Sequence, residues 1–324
     1  MNVLDPPSVV PTANRSRLEE HPLVVVCSAD NGFAMPLAVT LYSALSNYRG
    51  SPTLRVYIID GGIRAANRGR VDRILERLGA VAEWLEPDWQ PVRHLPISEQ
   101  YPASTYLRLL IPTFLPKSLE KAIYLDSDLI VHGNIADLWD VDLDRKALLA
   151  AQDKGVPTVG AQFGLANYSE LGLDPSAMYF NSGVLVFDLR AWRERALAER
   201  VLKYVAAHPN EIWFGEQHAL NAILAGDWGA LEAKWNQQVW AWEEHDAGEY
   251  PPGILHFVST SKPWTPTGAH WTNFLFDRYL KQSGWYSTAE WWKYYIPLLV
   301  QRQWVIYLRS RRAPLEQKLE QIET

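Results

Sequence analysis

The sequence predicts an α/β domain built on a mainly parallel central sheet, and three observations lead there. Short apolar runs recur, helix-period segments separate them, and no Gly/Ser/Pro-rich linker divides residues 21–265. Leu23 to Ala29 (LVVVCSA) is apolar on consecutive positions, as a strand buried on both faces must be. After Asp30-Asn31-Gly32, the residues Leu37, Leu41, Ala44, Leu45 and Tyr48 return at helical spacing, with Pro36 tolerable in the first turn. LRVYIID (54–60) reads as a second strand, Val71, Ile74, Leu75 and Leu78 mark one face of a second helix, and AVAEWLE (80–86) reads as a third strand. Such alternation builds βαβ units. Downstream, the pattern predicts a short helix from Ser104 to Leu110 and strands at Lys121 to Leu125, Ala147 to Asp153 and Gly183 to Asp188. Helices from Arg190 to Ala207 and from Glu216 to Ala225 close the series.

With 324 residues, 48% of them hydrophobic, the chain can bury a large core. A formal charge of -6 argues against nucleic-acid binding through a general basic surface. Cys27 is the only cysteine, so no internal disulfide forms and a reducing, cytoplasmic compartment suits the chain. Residues 1–20 carry Pro6, Pro7 and Pro11 and lack the pattern of a secretory signal, so they read as a flexible arm. No window offers the roughly 18 apolar residues of a membrane span. The nearest, Ile296 to Leu308, is broken by Pro297, Gln301, Arg302 and Gln303. The expected division is an arm (1–20), a catalytic domain (21–265) and a helical, aromatic and basic extension (266–324).

The most informative segment is KAIYLDSDLIVHGNIADLWD, residues 121–140. An apolar strand runs into Asp126-Ser127-Asp128, and the C-terminal ends of strands are where open α/β sheets bind ligands. Two carboxylates held this close repel each other unless a cation sits between them, and oxygen ligands suit Mg²⁺ or Mn²⁺. Seen alone, Asp-x-Asp after a strand is a turn with good side-chain acceptors.

The pair is not alone. In the same order as the strand and helix series, the chain carries CSADNGF, TYLRLLIP, YLDSDLIV followed by LWD, YFNSGVLVFDL, EQHALN and HFVSTSKPW. On these six marks the chain resembles glycosyltransferase family 8, the group containing glycogenins and bacterial lipooligosaccharide galactosyltransferases, over roughly residues 23–264. The resemblance implies a GT-A type nucleotide-sugar-binding fold and a UDP-sugar donor. Ala29, Asp30 and Asn31 match the uridine position. Asp126 and Asp128, with Ser127 between them, match the metal-binding segment, and His256 matches the third ligand, for Mn²⁺ or Mg²⁺. Lys262 matches the lysine on the diphosphate, Arg108 the donor-contacting arginine, and Asn181 and Ser182 positions near the transferred sugar. Glu216 and Gln217 match an Asp-Gln pair in which the acid holds sugar hydroxyls and the glutamine sits beside the anomeric carbon. Two departures stand out. Ser259 replaces a glycine where backbone approaches the diphosphate, and Glu216 is one methylene longer than the family's acid, which bears on the donor hexose. His256 is preferred over His132 or His270 through its motif alone.

The family resemblance implies retention at the anomeric carbon. The residue at that carbon is Gln217, whose neutral amide is a poor nucleophile, so same-face attack fits better than a double displacement. The expected activity moves galactose or glucose from a UDP-sugar to a hydroxyl of a glycan, glycolipid or glycoprotein. The alternative is a UDP-sugar-binding scaffold or sensor with little turnover. A haloacid dehalogenase type phosphatase would place its Asp-x-Asp after the first strand with Thr or Val two residues on, where this chain has Ile130. An inverting GT-A transferase would require a catalytic base near the acceptor.

Of fifteen tryptophans, Trp271, Trp285, Trp291, Trp292 and Trp304 fall after residue 270, with Tyr294, Tyr295 and Tyr307 among them and Arg309, Arg311 and Arg312 beyond. Aromatic bodies with a basic end suit the inner face of a membrane, and equally a helix packed on the domain or on a partner chain. Trp84, Trp89, Trp235, Trp240 and Trp242 could stack on sugars, with packing the first expectation for any single one. Loops 154–178 and 236–252 are the expected walls of the acceptor groove.

Overall fold

A seven-stranded mixed sheet organises the molecule, with a smaller three-stranded sheet over the carboxyl end of its central strands. The computed structural model describes residues 22–50, 53–97, 102–241, 252–258, 260–268, 270 and 272–306. The arm at 1–20, Ser259, Trp242, Trp271 and the stretch holding Tyr307, Arg309, Arg311 and Arg312 lie outside the described residues.

The first half follows the strand-helix alternation: β1 (Leu23–Ala29), α1 (Ala34–Asn47), β2 (Leu54–Asp60), α2 (Ala65–Arg77) and β3 (Ala82–Leu85). A 3₁₀ turn at Ala103–Leu110 runs on into α3 (Ile111–Phe114). Then come β4 (Lys121–Leu125), β5 (Leu129–Val131), α4 (Ile135–Trp139), β6 (Leu148–Gln152) and β7 (Phe180–Asp188). The expected helix over 190–207 is instead two helices, α5 (Leu189–Glu194) and α6 (Leu197–Ala207). Ala196 between them adopts a left-handed conformation (φ 48°), which breaks the backbone ladder although the apolar spacing continues across the break. After α7 (Glu216–Ile223) come β8 (Trp228–Ala230), β9 (Gln237–Gln238), β10 (Ile254–His256) and α8 (Asn273–Ser283). A short helix α9 (Thr288–Glu290) leads through a π-helical turn (Trp291–Tyr295) into helical residues 296–306.

The large sheet has the order β3-β2-β1-β4-β7-β6-β8. Every strand pairs in parallel except β7, which is antiparallel to both β4 and β6. Apolar side chains fill both faces. Val25, Cys27 and Ile123 pack under α1 and α2, and Val24, Val26 and Tyr124 pack under the 103–115 segment, α5 and α6. Burial on both sides is why β1 is apolar without alternation. Among the described residues, no helix is long and apolar enough to cross a membrane.

The extension joins the first of these cores. Leu275, Phe276, Tyr279 and Leu280 of α8, with Trp285 and Tyr295, belong to the same apolar cluster as β1 and α1. The Tyr279 hydroxyl accepts from the Asn47 side chain at 2.8 Å, where α1 ends.

Candidate active site

A cavity of about 890 Å³ lies across the carboxyl ends of β1, β4 and β6. At its centre β4 ends in Asp126-Ser127-Asp128. The Asp126 N–H still donates to the Gly183 carbonyl (2.8 Å), and the Ser127 hydroxyl donates to the Ser28 carbonyl on β1 (2.8 Å). Thr40 of α1 donates to the Ser127 carbonyl (3.0 Å). The turn is thus fixed from three elements, and both carboxylates are directed by backbone geometry.

His256 reaches them because β10 pairs antiparallel with β5, the strand that begins just after Asp128, with His256 opposite Leu129. The Phe257 N–H donates to the Asp128 carbonyl (3.1 Å). His256 Nε2 lies 3.4 Å from Asp128 Oδ1 and 3.8 Å from Asp126 Oδ2. An octahedral ion bound at about 2.1 Å separates its ligand atoms by roughly 3 to 4.2 Å, so the three side chains fit a divalent cation. The tautomer also fits. The Asn236 amide donates to Asn181 Oδ1 (2.9 Å), which leaves its oxygen to accept from His256 Nδ1 (2.8 Å) and the Nε2 lone pair facing the carboxylates. Gly183 makes this approach sterically feasible, because a Cβ there would stand 2.2 Å from His256 Cε1 and 3.0 Å from Asp126 Oδ2.

Two cations complete the cluster. Lys262 Nζ contacts Asp128 Oδ2 (2.5 Å) and donates to the Phe257 carbonyl (2.7 Å). Burial opposes ionisation of Asp128, but Lys262 and His256 prevail and hold its carboxyl well below the usual carboxylate range. Arg108, buried against the Tyr124 ring, reaches Asp126 Oδ1 (2.9 Å) with Nη2 and Glu216 Oε1 (3.1 Å) with Nε. Burial raises the Glu216 carboxyl above its ordinary value; Arg108 opposes that rise and Asp126 adds to it. Glu216 Oε2 is buried with no hydrogen-bond partner among the described residues. Gln217 is held from both ends: Oε1 accepts from the Ser182 N–H (2.9 Å) and Nε2 donates to Asp153 Oδ2 (3.2 Å).

Of the residues singled out in the sequence, Ala29, Asp30, Arg108, Asp126, Ser127, Asp128, Asn181, Ser182, Glu216, Gln217, His256 and Lys262 all line this cavity. Asn31 does not; its side-chain oxygen accepts from the Arg64 N–H and the Asn67 amide, both at 3.0 Å. Sequence reasoning missed Asp153, Gly183 and Asn236. Asp153 binds Asn181 (2.9 Å) as well as Gln217, and its other oxygen accepts from the N–H groups of Gly155 and Val156 (2.8 and 3.0 Å). Gly183 carried a signal, since a glycine inside an apolar strand marks a close approach.

A mixed sheet of this order, with paired carboxylates at a central strand end and a histidine returned from far downstream, defines the GT-A class of glycosyltransferase fold. The crystal structure of the galactosyltransferase LgtC with donor and acceptor sugar analogs superimposes with a TM-score of 0.71 at 23% identity, covering 83% of this chain and 99% of that one. The family model for glycosyl transferase family 8 matches residues 24–268, and the chain belongs to that family. Among curated relatives, general stress protein A of Bacillus subtilis is 28% identical over 276 residues, 81% of this chain and 94% of its own. Glycosyltransferase GlyD of Streptococcus pneumoniae is 25% identical over 268 residues, 76% of this chain but 29% of its own length.

Proposed function

We propose that this glycosyltransferase moves a hexose, galactose or glucose, from a UDP-sugar to a hydroxyl of a glycan, glycolipid or glycoprotein acceptor, with retention of anomeric configuration. The observation that carries this reading is the Asp126–Asp128–His256 cluster, whose ligand atoms lie within 4.8 Å of one another in the cavity. These side chains would hold Mn²⁺ or Mg²⁺, which when bound neutralises the diphosphate of a departing UDP. Ala29 and Asp30 at the end of β1 would hold the uridine side. Lys262 would exchange Asp128 for the diphosphate, adding a point charge where negative charge grows.

Glu216 Oε2 is free to accept from a sugar hydroxyl, and Arg108 fixes the other oxygen of the same carboxylate. Gln217, locked by Ser182 and Asp153, would lie beside the anomeric carbon with no charge to offer as a nucleophile. The acceptor oxygen bonds to that carbon as its bond to the diphosphate oxygen breaks on the same face. The acceptor proton passes to the departing phosphate oxygen, giving glycoside and UDP.

The test is UDP release from a panel of UDP-sugars with Mn²⁺ or Mg²⁺, followed by NMR of the product anomer. Release with one UDP-hexose and an α-linked product from an α-linked donor is expected. UDP binding without release would leave the scaffold alternative, and an inverted product would exclude the retaining mechanism.

The extension supports a cytoplasmic protein resting on the inner face of a membrane. Trp292, Trp304, Val300 and Ile306 are exposed along its helical segment, and Arg309, Arg311 and Arg312 follow in sequence. Flotation with anionic vesicles is expected and should be lost with neutral ones; concentration-dependent dimerisation without flotation would favour self-association instead.

A further inference from the structure

The cavity changes character from one end to the other. The sheet order β1-β4-β7-β6 sets the end of β6 three strand spacings, roughly 14 Å, from the end of β1. Over β1 the lining is Ala29 and Asp30, and over β6 it is Gly155 and Val156 with two aromatic rings, Phe163 and Trp240. Phe163 is 48% exposed and Trp240 50% exposed, although both belong to the cavity wall. Neither ring therefore serves the core.

Both rings stand on held backbone. The residue after Phe163, Gly164, has its carbonyl within 3.2 Å of His218 Nε2, and its N–H donates to the Ala161 carbonyl (2.8 Å). The Trp240 ring lies against Gly155, where a Cβ would meet its Cζ2 at 3.5 Å. Gln238, two residues earlier, accepts from the Lys154 N–H at 3.2 Å. The same Gln238 lines the cavity, is 1% exposed, and has an Nε2 with no hydrogen-bond partner among the described residues. A buried amide donor without a partner costs about 1–3 kcal/mol unless something accepts from it.

Two exposed rings, an unsatisfied donor and the adjacent Asp153 and Gln217 make a subsite with apolar faces and a polar edge. A pyranose has that form, with C–H faces to lie on aromatic rings and hydroxyls around its rim. A hydrocarbon chain there would desolvate Gln217 and Asp153 and leave Gln238 unmet. A serine or threonine on a peptide offers no flat face to two rings.

We infer that Phe163, Trp240 and Gln238 form the acceptor subsite and that the acceptor is a saccharide, its terminal ring held by the two aromatic side chains. The inference rests on the donor reading above, which puts the diphosphate at the β4 end and leaves the β6 end for the second substrate. It narrows the acceptor from any hydroxyl to a sugar hydroxyl, and it makes Phe163 and Trp240 specificity-determining residues.

The experiment uses the full chain loaded with UDP and Mn²⁺ on a glycan array, with UDP affinity measured by calorimetry on the same samples. Wild type is expected to retain a set of array saccharides. Phe163→Ala and Trp240→Ala should each weaken that retention by roughly tenfold, Gln238→Met by severalfold, and Trp240→Phe should restore most of the loss, with UDP affinity within about twofold throughout. Alanine variants that hold the same saccharides as well as wild type would overturn the inference. So would a wild type that binds UDP normally and retains no saccharide. Failure to bind UDP at all would remove the donor reading and this inference with it, and the calorimetry distinguishes that case.

Discussion

Charged side chains gather at two places, and the two gatherings are built differently. At the end of β4, the carboxylates of Asp126, Asp128 and Glu216 face only Arg108 and Lys262, around an open cavity. In the extension, Asp277 takes Arg302 at 2.5 Å and the Tyr295 hydroxyl, and both partners are buried against the core. The first cluster has negative charge in surplus and points it at space; the second is matched and closed. Surplus charge beside a cavity is suited to a cation from outside, whereas a matched pair works as a latch. The two are also joined, because Arg302 Nη1 donates to the Pro263 carbonyl at 2.8 Å, next to Lys262. Trp264 extends that junction, its ring packed on Phe276 of α8 and edge-on to Phe33.

The largest expected effect breaks the first cluster. Asp128→Asn should lower transfer by at least about a hundredfold, the scale of losing one charged contact to a transition state. Folding stability should change by no more than about 1–2 kcal/mol, because Lys262 borders the cavity and can regain water. Saturating UDP and Mn²⁺ at about a hundred times the dissociation constant should stabilise wild type by roughly 2.7 kcal/mol, and should not stabilise the variant. Thermal unfolding with and without ligand reads both. An equal ligand-induced shift in the variant would show that the surplus charge has no cation to meet.

Arg302→Met sharpens the comparison from the other side. Its partner Asp277 is partly open to water, so the expected loss is about 2–3 kcal/mol of stability, below the ~3–5 kcal/mol of a fully enclosed pair. The freed Pro263 carbonyl should also loosen Lys262, raising KM for the UDP-sugar severalfold with kcat little changed. A fall in kcat with unchanged KM would mean that the extension does not act through Lys262.

How much of this was legible in the sequence depends on range. LVVVCSA, LRVYIID and Lys121–Leu125 are strands with the expected bounds, because a doubly buried strand is written in consecutive residues. The reversed direction of β7 was not legible, since such a strand reads the same whichever way it runs. β5, β9 and β10 are two or three residues each, too short for periodicity. The bend at Ala196 was hidden for a different reason: the apolar spacing on either side continues in phase. In the site, Asp126 and Asp128 announce themselves as neighbours, while His256 is found from its motif. Asp153 has no local signature, because the groups that use it, Asn181 and Gln217, meet it only through the pairing of β6 with β7 and the packing of α7.

The smallest effect tests whether the latch is only a latch. Tyr295 is buried, its ring lies 4.5 Å from Trp291 between centroids, and burial with the neighbouring Asp277 pushes its phenol far above the ordinary range. Tyr295→Phe keeps the ring and removes one donor. Asp277 retains Arg302 and can recruit water in place of the hydroxyl, so the expected cost is about 1 kcal/mol, read from urea unfolding midpoints. Transfer kinetics should not move, because neither the ring packing nor the Arg302 contact to Pro263 depends on that hydroxyl. A change in KM for the donor with so small a loss of stability would place the hydroxyl in the support of Lys262, and the matched cluster would then belong to the site as much as to the fold.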